Sequence, residues 1–252
     1  MSWQRRWGVR MRSSPRQGKP PTAEDAQCLY RLMTWFSPAF PVGAYSYSHG
    51  IEFAVETGRV HDRDSLREWV GFIVQQGAGR IDADLFLRAY SAVRDEDADA
   101  LLDTVEVASC LRGSAETALE SSAQGAAFLR AVASSWPHPG LTAWESDLAV
   151  DAIAPAYAVA VAVAAAHHRI PVGPTLTALL QAMAANLISA GMRLIPLGQT
   201  DGQRATADLA QRVQEAVDAA LTRPAEDLGS AAAMVDWTSM RHETQYTRLF
   251  RS

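Results

Sequence analysis

The 252-residue chain contains a single lysine, Lys19, against 22 arginines, and only two cysteines, Cys28 and Cys110. Two distant cysteines make neither a CxxC motif nor a disulfide framework, so both read as small buried apolar residues in a reducing, cytoplasmic setting. Missing too is any uncharged apolar run of membrane-spanning length. The longest, residues 152–166, has fifteen residues and includes Pro155, whereas a span takes about 20; a buried core helix is the expectation. The sequence has no GxxxxGK[ST] phosphate loop, no GxSxG elbow and no HExxH pair. Its six histidines never fall at i, i+4 on a helix, and the adjacent His167 and His168 point about 100° apart on one. No preformed metal site and no catalytic group is expected.

Charge is also absent where a nucleic-acid binder would carry it. The net charge is −5, but residues 1–20 hold six cations (Arg5, Arg6, Arg10, Arg12, Arg16 and Lys19) and no acid, leaving −11 on the rest. Phosphate contacts dominate nucleic-acid affinity, so an acidic body argues against that partner. Residues 1–22 read as a disordered basic arm, punctuated by Gly, Pro and Ser.

Present in excess is alanine, 45 residues, the best helix former and a poor strand former. The expected fold is all-α, a single bundle of about ten helices over residues 23–228, followed by a partner-binding tail at 229–252. Thr22 and Asp25 resemble a capping box ahead of Leu29, Leu32, Met33 and Phe36. Further helices are expected at 44–57, from Asp62 through Ile73, and at 82–93, 96–111, 114–132, 148–168, 174–195 and 205–221. Residues 136–140 (WPHPG) read as a turn. The alternation of Val159, Val161 and Val163 with alanine would also suit a strand, but the length of the run favours helix. Between residues 152 and 200 the only charges are Arg169 and Arg193. Such a stretch is central core, or core plus a subunit interface.

Three constellations carry chemistry. On a 44–57 helix, Tyr45, His49, Glu52 and Glu56 fall within about 60° of one another, with Ser46 and Ser48 beside them: a solvated face, or a polar docking surface. On the 174–195 helix, Asn186, Ser189 and Arg193 form a narrow polar stripe on an otherwise apolar rod. A buried Arg needs partners, so the stripe is either an internal hydrogen-bond cluster or a strip offered to a partner or a water-filled passage. The loop after it offers the polar side chains of Gln199, Asp201 and Gln203. The C-terminal segment concentrates Trp237, Arg241, Tyr246, Arg248, Phe250 and Arg251, residue types that dominate interface hot spots, and reads as a tail that orders on binding.

Residues 37–52 (SPAFPVGAYSYSHGIE), 193–203 (RLIPLGQTDGQ) and 239–252 (SMRHETQYTRLFRS) together resemble, in order and spacing, the urease accessory protein UreF family over roughly residues 25–252. The basic arm lies outside the resemblance. The resemblance implies an all-α homodimer without catalysis of its own. It would bridge UreD (also called UreH) and the GTPase UreG in the complex that loads nickel into apo-urease, the GTP being bound by the partner. It further implies that Arg241, His242, Glu243, Tyr246, Arg248 and Phe250 contact UreD. Tyr45, Ser46, Ser48, His49 and Glu52, with Asn186, Arg193 and the Gln199–Gln203 loop, would shape a UreG-facing surface or a nickel passage, with His49 and Glu52 as transient nickel contacts. Two alternatives remain at this point: a direct regulator of the partner's GTP hydrolysis, with Arg193 as an arginine finger, and a helical small-molecule binder with a pocket around Asn186 and Arg193.

Overall fold

The computed structural model describes residues 22–251; the basic arm lies outside them. The described residues form twelve α-helices and no strand: α1 (Ala23–Trp35), α2 (Ile51–Glu56), α3 (Arg63–Gln76), α4 (Ala78–Arg94), α5 (Ala98–Cys110), α6 (Ala115–Ser135), α7 (Pro139–Val150), α8 (Tyr157–His167), α9 (Val172–Leu194), α10 (Gln199–Asp208), α11 (Ala210–Thr222) and α12 (Ala233–His242), with one 3-10 turn at Ala44–Ser46. The all-α expectation holds. Thr22 caps α1 through the anticipated box, its hydroxyl accepting from the Asp25 N–H while the Asp25 carboxylate accepts from the Thr22 N–H.

Helix α8 is the axis of the bundle. Every residue from Ala158 to Ala166 is at most 3% exposed. A helix buried on all sides needs no polar stripe, which explains the alternating Val and Ala that mimicked a strand. Its small side chains let α4 and α6 lie close on either side, with α9 and α7 completing the shell. The segment entering α8 lies tight against Gly125 of α6, where a Cβ would stand 1.9 Å from the Pro155 carbonyl oxygen. Helix α3 joins α4 to α9, α10 and α11. Helix α9 is long and apolar enough to cross a membrane by length and composition. Here Leu176, Leu179, Leu180, Leu187 and Ile188 are buried in the core. The charge-poor 152–200 stretch is therefore spent largely inside this one chain.

Four local readings are corrected. The expected 148–168 helix is two, because Pro155 lacks an N–H and disfavours helix in the residue before it; the chain turns at Ala152 (φ +56°) and α8 starts afresh at Tyr157. The WPHPG turn opens α7, with Pro139 at the first position, where a missing N–H costs nothing, and His138 Nδ1 accepting from the Gly140 N–H. The expected 205–221 helix starts six residues earlier and breaks at Leu209. Cys110 is exposed, and only Cys28 is buried.

The turn before α7 brings three imidazoles together. The His138 ring centroid lies 4.7 Å from that of His167 and 5.8 Å from that of His168. Burial, then Arg31 and His138, push His168 down to about 4, and burial followed by His138 lowers His167. Below the ordinary value of 6.5, the unfolded chain binds protons that the folded chain refuses. Stability therefore falls as pH drops from about 6.5 towards 4. Urea midpoints measured across that window should decline, and less steeply in His168→Gln. An equal slope in the variant would refute the assignment.

Candidate functional site

The segment from Gly43 to Glu56 is not the expected single helix. Serines compete for backbone hydrogen bonds, and the chain adopts left-handed conformations at Gly43 (φ +76°), His49 (φ +51°) and Gly50 (φ +73°). Tyr47 is extended, and α2 begins only at Ile51. The proposed stripe of Tyr45, His49, Glu52 and Glu56 therefore does not exist as one face. Tyr45 points outward, 66% exposed. His49 turns inward towards α6, Glu52 is buried, and exposed Glu56 accepts from the Gln245 side-chain amide.

Two segments distant in sequence converge on this turn. From α9, Asn186 donates to the Ala44 carbonyl at 3.0 Å and the Arg193 guanidinium to the Tyr45 carbonyl at 2.7 Å. Arg193 is sandwiched between two rings, its Cζ 3.6 Å from the Tyr45 centroid and 4.1 Å from that of Phe250. Such stacking suits the weakly hydrated, planar guanidinium. From the C-terminus, the Arg251 N–H donates to the Ser46 carbonyl at 2.8 Å.

Glu52 holds this C-terminal segment in place. Its carboxylate accepts from the backbone N–H groups of Leu249 (2.7 Å) and Phe250 (2.9 Å) and lies 3.1 Å from His242 Nε2. The other ring nitrogen of His242, which is fully buried, lies 2.6 Å from Glu116 Oε2. Glu116 also accepts from Arg248 at 2.7 Å, and Glu243 accepts from the Ala115 N–H at the start of α6, where an anion is favoured. One carboxylate thus faces each ring nitrogen of His242. Helix α12 seats against Gly50, whose missing Cβ would come within 2.5 Å of the Ser239 nitrogen, and Ser239 shares a 2.7 Å hydrogen bond with Ser114. Expected as a tail that orders on binding, residues 233–251 are instead packed on their own bundle. Arg241 and Met240 remain exposed, as do Tyr246 and Leu249.

Glu116, Glu120 and Gln124 lie at i, i+4 and i+8 on α6, a single face. Glu116 serves the C-terminal segment. Glu120 lies 2.9 Å from His49 Nε2 and accepts from Gln124 at 2.8 Å. Beyond them Arg112 donates to Asp82 at 2.5 Å and to Ser121 at 2.9 Å. These groups form one end of a cavity of about 350 Å³ roofed by residues 42–45 and walled by α1, α6 and α9. Burial pulls the His49 imidazole down, but the charge and hydrogen bond of Glu120, aided by Asp82, outweigh it and raise its pKa. The pocket expected around Asn186 and Arg193 is thus displaced: Asn186 is on its wall, Arg193 is not. Nor are Gln199, Asp201 and Gln203 in a loop. They form the start of α10, with Asp201 accepting from the Gly198 N–H and both glutamines exposed.

The sequence model of a family described as UreF matches residues 60–210, more than half of the chain. The chain belongs to the UreF family. It is 51% identical over 235 residues to the urease accessory protein UreF of Rhodopseudomonas palustris (strain HaA2), covering 92% of this chain and 97% of that protein. It is 48% identical over 233 residues to the Granulibacter bethesdensis protein of the same name, covering 92% and 98%, and 47% identical over 228 residues to that of Magnetococcus marinus, covering 89% and 97%. The likeness to UreF relatives thus extends beyond residues 60–210. In this UreF-family chain the residues that sequence reasoning overlooked are Glu116, Glu120 and Gln124, and the Asp82–Arg112 pair. The four-residue spacing on α6 was the available signal. Among the described residues, no group of three or more His, Cys, Asp or Glu is arranged to hold a metal ion.

Proposed function

We propose that this chain is a non-catalytic urease accessory protein of the cytoplasm that works as a homodimer, bridging UreD/UreH and the GTPase UreG in the complex that inserts nickel into apo-urease. The observation that carries the reading is the clasp of Arg193 between Tyr45 and Phe250. It ties the three family-like segments into one composite surface, the kind of site a scaffold needs. Exposed Tyr246, Arg241 and Leu249 on the C-terminal segment are the anchors for UreD/UreH. Nickel is cargo of the assembly and GTP belongs to the partner.

Arg193 as an arginine finger is the weaker reading, because its guanidinium is already spent on two rings and the Tyr45 carbonyl. The test is a pull-down with UreD/UreH and UreG, coupled to urease activation. Deleting residues 243–252 removes the clasp but spares the buried His242. The truncated chain should keep its helical circular dichroism, lose co-purification with UreD/UreH and leave urease inactive. Normal activation by the truncated chain would refute the proposal.

A further inference from the structure

The cavity beneath the 42–45 turn has a function to be explained that bridging proteins does not require. Its polar end holds two carboxylates, Asp82 from α4 and Glu120 from α6, 5% exposed each, against one buried guanidinium, Arg112. His49 from the turn and the Tyr157 phenol from α8 also face this end, while α9 contributes only uncharged groups such as Asn186. With His49 neutral, the polar end carries one excess negative charge. Trp35, Phe36 and Phe40 add aromatic surface to the lining.

We propose that this cavity is a binding site for a small organic cation: an ammonium group on a flat apolar body the size of a single ring. A volume of about 350 Å³ lies at the low end of ligand sites, roughly 300–1,000 Å³. An ammonium can take the place of the His49 imidazole on Glu120, near the Asp82–Arg112 pair, while its apolar body lies among rings whose faces attract cations. A buried anion would meet two carboxylates with both cations already paired, a costly arrangement. The His49 proton and the ligand compete for the same carboxylate, so binding strengthens as pH rises through the range in which His49 loses its proton.

The test is calorimetric titration of the full chain with benzylammonium, benzyl alcohol and benzoate, supported by saturation-transfer NMR for weak binding. Benzylammonium should bind about tenfold or more tighter than benzyl alcohol, a gap of about 1.4 kcal/mol, with benzoate weakest. Its affinity should rise with pH as His49, whose pKa is raised, gives up its proton. Glu120→Gln should erase the preference for the cation while leaving benzyl alcohol binding intact. Ala185→Leu, which fills the cavity wall, should weaken all three and keeps the test decisive if Glu120→Gln folds poorly. Absence of binding by all three compounds, a preference for benzoate, or an undiminished cation preference in Glu120→Gln would overturn the proposal.

Discussion

Glu52→Ala is expected to free residues 243–251 from the bundle while the rest of the fold stays intact. The carboxylate is 8% exposed and meets two backbone N–H groups and a buried imidazole. Removing it leaves three donors without an acceptor, and breaking a buried charged network of this kind costs about 3–5 kcal/mol. The loss is local because the segment is terminal and rests on the surface of α2 and α6, on Arg193 of α9 and on the 44–46 turn. Hydrogen exchange at the Leu249 and Phe250 amides should accelerate by about two orders of magnitude, the kinetic equivalent of about 3 kcal/mol. Amides in α8 should be unaffected. Glu56→Ala is the control. That side chain is exposed and accepts from the Gln245 amide, so its loss should cost under about 0.5 kcal/mol. Wild-type protection at Leu249 in Glu52→Ala would show that Glu52 does not hold the segment. Under the proposed function the same variant should fail to activate urease, for want of an ordered Phe250 to close on Arg193.

Gly125→Ala should damage the whole molecule. The added Cβ would meet the Pro155 carbonyl oxygen at 1.9 Å and two backbone carbons at about 3 Å. These are backbone atoms with no rotamer to yield, so α6 and the segment entering α8 must separate. Overpacking of this kind costs about 1–3 kcal/mol and more where nothing can shift. In a domain of this size that lowers the melting temperature by about 5–10 °C. Gly125→Val should leave little soluble protein. At Gly173, where a Cβ meets nothing within 4 Å, the same change to alanine should be neutral or slightly stabilising. Equal melting temperatures for the two alanine variants would mean that the α6–α8 contact is looser than described.

Much of the fold was legible because its signals are local. Alanine content, the Thr22 cap and the charge-free run of α8 each follow from a few neighbouring residues. Errors arose where one residue decides between two local structures. Pro139 reads equally as a turn or as a helix start. Pro155 splits an apolar run that periodicity joins. Gly50 allows a left-handed step that a helical wheel cannot represent. The candidate site was legible as a set of residues and not as an arrangement. Tyr45, His49, Glu52, Arg193, His242 and Phe250 are indeed gathered together, yet the wheel put Tyr45, His49 and Glu52 on one stripe. In the fold they point outward, into a cavity and under the C-terminal segment. Glu116 and Glu120 escaped notice because a carboxylate at four-residue spacing reads as solvated surface until its partners, 71 to 132 residues away, are known.

The seat of α12 bears on how the chain is made. Glu52 and Glu116 are synthesised long before the groups that satisfy them, His242 and the amides of residues 249 and 250, at sequence separations of 126 to 198. Contacts of such long sequence separation carry the largest loop-closure cost and are expected to close late in folding. Until those contacts form, neither carboxylate has its partners in the C-terminal segment. The same closure carries Phe250 to Arg193. A chain without residues 243–252 would therefore keep the contacts of its core but not the clasp of Phe250 on Arg193, the surface on which the proposed bridging depends.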